Sequence, residues 1–569
     1  MRLMICTLAA LLFSIEALAA GNTPPPERIG QHGRWLVDGQ GRVVMLRGGN
    51  LLLPGEEQAG SAPNAQTPGL MAAQGFNGVR LVLFFNRLMP KPGAIDKAYL
   101  ERIAQAVADY RAAGVYVLLD FHQDEYGPSV GVRGFPEWAT FSGGHEPKKL
   151  PFPAGYFSDP AIQTAFDNFW ANHPVPGTGK GVQDFYIQAL ATVAARFRDE
   201  SAVFGIDVMN EPFPGTRCNQ PDPTRAHCPE LEESLLAPFY QRAGAAIAKA
   251  APNLIVFVEP FMLQGALGIP IATPAPAAQW RGLSFHQYGT LAEIRQRGNS
   301  YALAGAERTQ SAILNTEWGF TNDPVEWSAQ ARELDDNLIP WLAWARGPFE
   351  PLVDSSLSAA GNDNREATLR ALARPYPRAT AGTPLRLAFD GDSGTLRYRY
   401  SVTAPDGRDR AQSLTEIVMP KIQFPNGYTV TVDAKQGRVV SPPNAPVLLL
   451  KAAPDAREIN ITAVRKGELA PLPAPVPTAD PYASLQQRPD AKADAGNSGP
   501  LSTRSLLGDL LGDPRAHAIL EREIPELIHS PQIGMGSQMS LRALQAFAPT
   551  LLTNETLDRI DRALAQPEK

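Results

Sequence analysis

Between residues 43 and 345 one pattern repeats: a short apolar, β-branched run, then polar loop residues, then an alanine-rich stretch with apolar residues three and four apart. Parallel strands need a crossover of about a dozen residues or more, usually a helix, so this repeat predicts a parallel sheet covered by helices. The runs fall at 43–49, 78–85, 115–121, 203–209, 254–258, 283–288, 311–315 and 341–345. Eight such strands close a (β/α)8 TIM barrel, the expected α/β fold. The segments 99–113 and 185–198 have the apolar spacing of helices packed on its outside. An open doubly wound sheet would want a glycine-rich turn after its first strand, and this sequence offers none. Trp35-Leu36-Val37 followed by Asp38-Gly39 reads as a small hairpin that plugs the barrel bottom.

Past Pro375 the runs at 385–389, 396–402, 428–432, 447–450 and 459–464 alternate without helices between them, which predicts an antiparallel β-sandwich. Proline, alanine, aspartate and glycine dominate 469–500, a composition too poor in apolar surface to fold alone. Beyond it, 506–511, 516–527 and 541–547 read as short amphipathic helices, with Pro514, Pro531 and Pro549 as breaks. At the start, Arg2, the apolar stretch 3–15 and Ala17-Leu18-Ala19 have the pattern of an export signal, and the stretch is shorter than the ~20 residues that span a bilayer. The expected organisation is a signal peptide over 1–20, the barrel over 21–378, the sandwich over 379–467, a linker over 468–500 and a small helical domain over 501–569. The mature protein is expected in the periplasm or outside the cell.

Several functions are disfavoured. A formal net charge of -6 over 569 residues, with both signs dispersed, lacks the basic excess that a nucleic-acid partner demands. Of three cysteines, Cys6 lies in the signal, and Cys218 and Cys228 are expected to form a disulfide in an exported protein. Closing that short loop restrains the unfolded chain by about 2–3 kcal/mol. Eight histidines show no His-Glu-x-x-His spacing, and Gly179-Lys180 lacks the rest of a phosphate loop, so neither a metal nor a nucleotide cofactor is expected.

Residues that follow the strands of a parallel barrel share one rim. Asn210-Glu211-Pro212 follows the fourth run and Thr316-Glu317-Trp318-Gly319 the seventh. Retaining glycoside hydrolysis needs two such carboxyls about 5–5.5 Å apart, one to protonate the leaving oxygen and one to attack the anomeric carbon. Either glutamate taken singly reads as well as a solvated loop residue.

The neighbours carry the argument further. Gly75-Phe76-Asn77-Gly78-Val79-Arg80-Leu81, Asp120-Phe121-His122, Met209-Asn210-Glu211-Pro212, His286-Gln287-Tyr288, Glu317-Trp318-Gly319 and Trp344 stand in the order found in glycoside hydrolase family 5. The chain resembles that family over residues 30–375. The resemblance implies Glu211 as acid/base and Glu317 as nucleophile, with Arg80, His122, Asn210, His286, Tyr288 and Trp344 around the substrate. Residue type suits each role. Arg80 beneath Glu317 would favour its charged form, Asn210 suits a sugar 2-hydroxyl, Tyr288 can orient Glu317, and Trp344 offers a stacking face while Trp341 packs outward. Each has a plainer alternative: a structural ion pair for Arg80, a turn for Asn210, core packing for His122, His286 and Tyr288. Burial of Glu211 beside Glu317 should raise its pKa and keep it protonated at rest.

Leu118-Leu119-Asp120-Phe121-His122-Gln123-Asp124-Glu125-Tyr126-Gly127, Val258-Glu259-Pro260 and Arg374-Pro375-Tyr376-Pro377-Arg378-Ala379, with a sandwich after the barrel, are similar to the endoglycoceramidase-related branch of the family. That similarity implies a β-linked glycan or glycolipid substrate, a groove with a polar and an apolar half, Asp124 on the reducing-end sugars, and transient contact with lipid or detergent micelles. Phe135-Pro136-Glu137-Trp138 and Phe152-Pro153-Ala154-Gly155-Tyr156-Phe157 would form a hydrophobic lip, or pack as an ordinary loop. One departure concerns Arg47-Gly48-Gly49-Asn50-Leu51-Leu52-Leu53-Pro54, which has leucines where that branch tends to carry a lysine, and it leaves the preferred glycan open. The helical tail is foreign to the pattern. The other readings are an exo-acting β-glucosidase on glucosylceramide or steryl glucoside, an endo-β-glucanase, and an inactive carbohydrate-binding protein on the same barrel.

Overall fold

The computed structural model describes residues 27–56, 63–150, 152–218, 229–262, 264–265, 268–289, 292–319, 323–344, 365–472, 501–528, 540–545 and 551–566. The expected signal peptide, most of the expected linker, and Cys228 with its expected bridge to Cys218 lie outside the described residues.

Strands β1 (Gly30–His32) and β2 (Trp35–Val37) form an antiparallel hairpin that continues into β3 (Val43–Val44). Leu36 packs with Ile29, Leu46, Leu118, Phe204, Ile255 and Leu314 in an apolar cluster, which makes the hairpin the plug of the barrel. The barrel is β4 (Arg47–Leu51), β5 (Gly78–Phe84), β6 (Tyr116–His122), β7 (Val203–Asp207), β8 (Ile255–Val258), β9 (Arg281–Gln287), β10 (Ala312–Trp318) and β11 (Trp341–Ala343). All are parallel neighbours in that order, and β11 returns to β4 to close the ring. Helices such as Lys97–Ala112 and Val182–Phe197 bury one face against it, the first started by Asp96, whose side chain accepts from the Tyr99 N–H.

The run read as one strand over 43–49 is two strands in different sheets. The chain swaps layers between Met45 and Leu46: the Met45 side chain joins the sandwich core and its N–H donates to the Arg378 carbonyl, whereas Leu46 enters the barrel bottom. The sheet that receives β3 has seven strands in the order β1-β2-β3-β12-β15-β18-β17. Its later members are β12 (Tyr376–Thr380), β15 (Leu414–Val418), β17 (Gly437–Val439) and β18 (Val447–Ala452). The residue 378 boundary expected from sequence falls inside β12. The second sheet is β13 (Thr383–Asp390), β14 (Thr395–Ser401), β19 (Glu458–Arg465) and β16 (Tyr428–Val432), antiparallel throughout. Leu387, Leu396, Tyr398, Ile417, Leu448 and Ile459 fill the space between the sheets.

Beyond residue 500, helices Leu507–Gly512, Pro514–Glu523, Pro525–Ile528, Leu541–Leu544 and Asn554–Ala565 gather around Leu510, Leu520, Leu541, Leu557 and Ile560. Pro514 separates two helices as expected, and it does so by beginning the second: Asp513 caps it by accepting from the Arg515 and Ala516 N–H groups, and proline at the first helical position forfeits no bond.

Candidate active site

The inward positions of the lower barrel are apolar; one layer up they become charged. On β5, Arg80 is fully buried and its guanidinium faces four carboxylates. Nη1 lies 2.5 Å from Glu317 Oε1, and Nη2 lies 2.8 Å from Glu259 Oε1, 2.9 Å from Asp120 Oδ1 and 3.0 Å from Asp207 Oδ2. Burial opposes its charge, but these acids outweigh that cost and hold its pKa well above the ordinary value. Asp207 is driven the other way, well above the carboxylate range, by burial and by Glu259; it also accepts a 2.9 Å bond from Ser284 Oγ.

Glu211 follows β7 on a tight turn and has φ 42°, a left-handed conformation unusual for a side chain of its size. Both sides of the turn are tied. Gln123 Nε2 donates to the Asn210 and Glu211 carbonyls at 2.9 Å each, and the Glu211 N–H donates to Glu259 Oε2 at 2.9 Å. Glu317 is aimed by a different device. Opposite β9 the register of β10 slips between Asn315 and Glu317, an extra residue that turns Glu317 to face His286. Just beyond, Gly319 has φ 101°, and a Cβ there would lie 1.8 Å from the Trp327 ring, so only glycine fits.

The two glutamates meet across His286. Its Nδ1 is 2.8 Å from Glu211 Oε1 and 3.5 Å from Glu317 Oε2, and one ligand-type atom from each of the three residues lies within 4.8 Å of the others. That gap belongs to the retaining geometry, since inverting pairs stand roughly 6.5–9.5 Å apart. Tyr288 Oη donates to Glu317 Oε2 at 2.7 Å. Burial raises the Glu211 pKa to about 7; His286 pulls it down and Glu317 pushes it up. Burial alone would lower the His286 pKa, but Glu259 and Glu317 overcome it and hold it well above its ordinary value.

The remaining expected residues fall around this centre. Asn210 Oδ1 accepts from Arg80 at 3.1 Å and its Nδ2 donates to the Gln123 carbonyl at 3.0 Å. His122 sits between Asp120 (2.7 Å) and Asp124 (3.2 Å), and its ring stacks on Trp344 with centroids 5.4 Å apart and planes 11° from parallel. Burial works against the His122 charge, yet the two aspartates lift its pKa to about 9. Asp124 is buried and already engaged by Arg133 Nε at 2.5 Å as well as by His122, and those two cations hold it well below its ordinary value despite burial. Trp341 packs outward against Phe76 and Trp318, as expected.

One half of the expected lip is core. Phe135 is fully buried, stacked between Tyr126 and Tyr186, and Trp138 donates its indole N–H to the Met89 carbonyl. Of the other half only Phe152 reaches solvent, at 40% exposed, while Tyr156 is fully buried and Phe157 packs half-buried against the core; Val132, also between β6 and β7, is 45% exposed. Leu51, Leu52 and Leu53 are buried, so the end of β4 presents no lysine-like contact.

Sequence reasoning assigned no role to Glu259, Gln123, Asp120 or Asp207. All four stand in or beside motifs, and what distinguishes them is convergence on Arg80 and on the Glu211 turn, which spacing along the chain does not encode.

With this geometry in place, comparison with known proteins decides the family. The family model described as cellulase, glycosyl hydrolase family 5, matches residues 37–350, and the glycoside hydrolase family 5 C-terminal domain matches residues 374–463. The chain belongs to glycoside hydrolase family 5. It is 32% identical over 449 residues to endoglycoceramidase I of Rhodococcus hoagii, covering 74% of this chain and 85% of that one. Among solved structures, the lactosyl-enzyme intermediate of endo-glycoceramidase II from Rhodococcus sp. is 25% identical with a TM-score of 0.62, covering 76% of this chain and 100% of that one. An endogalactoceramidase is 28% identical with a TM-score of 0.59, covering 77% of this chain and 99% of that one.

Proposed function

We propose that this protein is an endoglycoceramidase-type hydrolase, a retaining β-glycosidase that separates glycan from lipid by double displacement. The observation that carries the reading is the opposed environment of two neighbouring carboxyls: Glu317 receives Arg80 and Tyr288, whereas Glu211 is raised to about 7 by burial.

Catalysis follows from that asymmetry. Glu317 attacks the anomeric carbon while Glu211 gives its proton to the leaving oxygen, and a glycosyl ester forms on Glu317. Esterification removes the negative charge beside Glu211, so its pKa falls and it ionises. It then takes a proton from water, which opens the ester and returns both residues to their first state. Trp344 supplies a flat apolar face for the reacting sugar, with its other face held by His122. Asn210 takes the 2-hydroxyl with its remaining amide hydrogen. Phe152 and Val132, both exposed between β6 and β7, are apolar side chains available to the lipid and to transient micelle contact. The disulfide between Cys218 and Cys228 and export by the first twenty residues complete the proposal, resting on composition alone.

The test is a panel of glucosyl, lactosyl and longer glycosphingolipids beside cellodextrins, with products separated. Release of intact oligosaccharide and ceramide supports the reading; hydrolysis of cellodextrins with glycolipid micelles untouched rejects it. An activated 2-deoxy-2-fluoro glycoside should leave its label on Glu317, read by peptide mass.

A further inference from the structure

Glu259 lies just past β8, 2% exposed, and neither of its oxygens is spare. Oε2 accepts the Glu211 N–H at 2.9 Å; Oε1 meets Arg80 Nη2 at 2.8 Å and stands 3.3 Å from His286 Nε2. The opposite nitrogen of the same imidazole faces the Glu211 carboxyl at 2.8 Å. One buried carboxylate thus reaches the acid/base twice, through its backbone and through its side-chain partner.

We propose that Glu259 is a positioning residue for the acid step, fixing both the left-handed backbone of Glu211 and the imidazole that orients the Glu211 carboxyl. The inference rests on the reading of Glu211 as the acid/base. A left-handed φ of 42° at a glutamate persists only where the surroundings hold it, and the holders here are Gln123 at the carbonyl and Glu259 at the N–H. Around His286 stand Glu211, Glu259 and Glu317, with the Tyr288 ring edge-on at 6.2 Å. The Nε2 contact with Glu259 is an ion-pair approach of 3.3 Å rather than a formed hydrogen bond, and it is attractive when Nε2 carries a proton. An amide at 259 cannot replace the carboxylate. With one acceptor and one NH2, it must turn a donor toward either the Glu211 N–H or Arg80.

The experiment compares wild type, Glu259→Gln and Glu211→Gln on two β-glycosides of the same sugar, one with a dinitrophenyl leaving group and one with an alkyl leaving group. The dinitrophenolate departs without a proton, so kcat/KM on it does not need the acid. Glu259→Gln should lose about 10²-fold in kcat/KM on the alkyl glycoside and only a few-fold on the dinitrophenyl one, a selective loss in the direction shown by Glu211→Gln. Equal losses on both substrates in Glu259→Gln, beside a selective loss in Glu211→Gln, would overturn the proposal. Equal losses in Glu211→Gln itself would instead reject Glu211 as the acid. Should the variant fail to fold, nitrogen NMR of wild-type His286 decides the matter: a proton on Nε2 at pH 7.5 supports the role of Glu259, and an unprotonated Nε2 removes it.

Discussion

The two ends of one barrel bury opposite chemistry. At the bottom, Leu36 seals a cluster of Leu118, Phe204, Ile255, Leu314 and Leu342, with no polar side chain among them. Two positions further along the same inward rows, Leu118 gives way to Asp120, and Arg80, Asp207 and Glu259 join it. The lower end is held by apolar contact, the upper by a balance in which one guanidinium and one imidazolium offset a group of acids. Ordinary packing tolerates piecemeal loss; a charge balance does not, because each removal leaves a buried charge unmatched. The lower end supplies a rigid base, and the upper end converts that rigidity into fixed pKa values.

Variants of the two ends should behave differently. The largest effect is expected for Glu317→Gln, which removes the covalent step: kcat on an aryl β-glycoside should fall by roughly four to six orders of magnitude, and intact turnover would end the two-carboxylate account. Next is Arg80→Met, expected to cost about 3–5 kcal/mol in denaturant unfolding together with most activity. Leu314→Ala at the bottom should cost about 2–5 kcal/mol by leaving a cavity while kcat stays near wild type. If Leu314→Ala proved as damaging to kcat as Arg80→Met, the division of labour would be wrong.

Smaller effects come from pH. Glu211 is raised to about 7, so it is protonated and competent below that value. Above it, kcat/KM should fall about tenfold per pH unit, and a flat profile between pH 6 and 9 would contradict the assignment. His122 is raised to about 9, so its ion pairs stabilise the fold fully below the ordinary histidine value and lose that contribution as pH rises through about 9. Melting temperatures measured from pH 6 to 10 should decline over that window, and His122→Phe should flatten the decline.

Much of the upper end could be read from the chain alone. Asn210, Glu211 and Glu317 follow recognisable apolar runs, His286 and Tyr288 close another, and Arg80 stands inside the run at 78–85; parallel topology then brings them to one end of the barrel. Glu259 was visible as part of Val258-Glu259-Pro260, but its function is a matter of three contacts with residues remote in sequence. Asp124 shows the converse: its motif singled it out, but its ion pairs through Oδ2 with Arg133 and His122 could not be read from spacing. In the sandwich, β12 escaped notice because Pro377 cannot join a ladder as a donor and a register shift follows it. The break between Val44 and Arg47 was hidden inside continuous apolar sequence, since Met45 and Leu46 are equally greasy and only their burial partners differ.

The pairing of Val43 with Thr380 sets an order on assembly. A ribosome adds roughly 5–20 residues per second, so β3 emerges tens of seconds before the strand that completes its edge. Until then the nascent chain carries an open ladder, the kind of edge that recruits neighbouring chains. A fragment ending before residue 376 would keep that edge open permanently, and aggregation during expression is its expected fate.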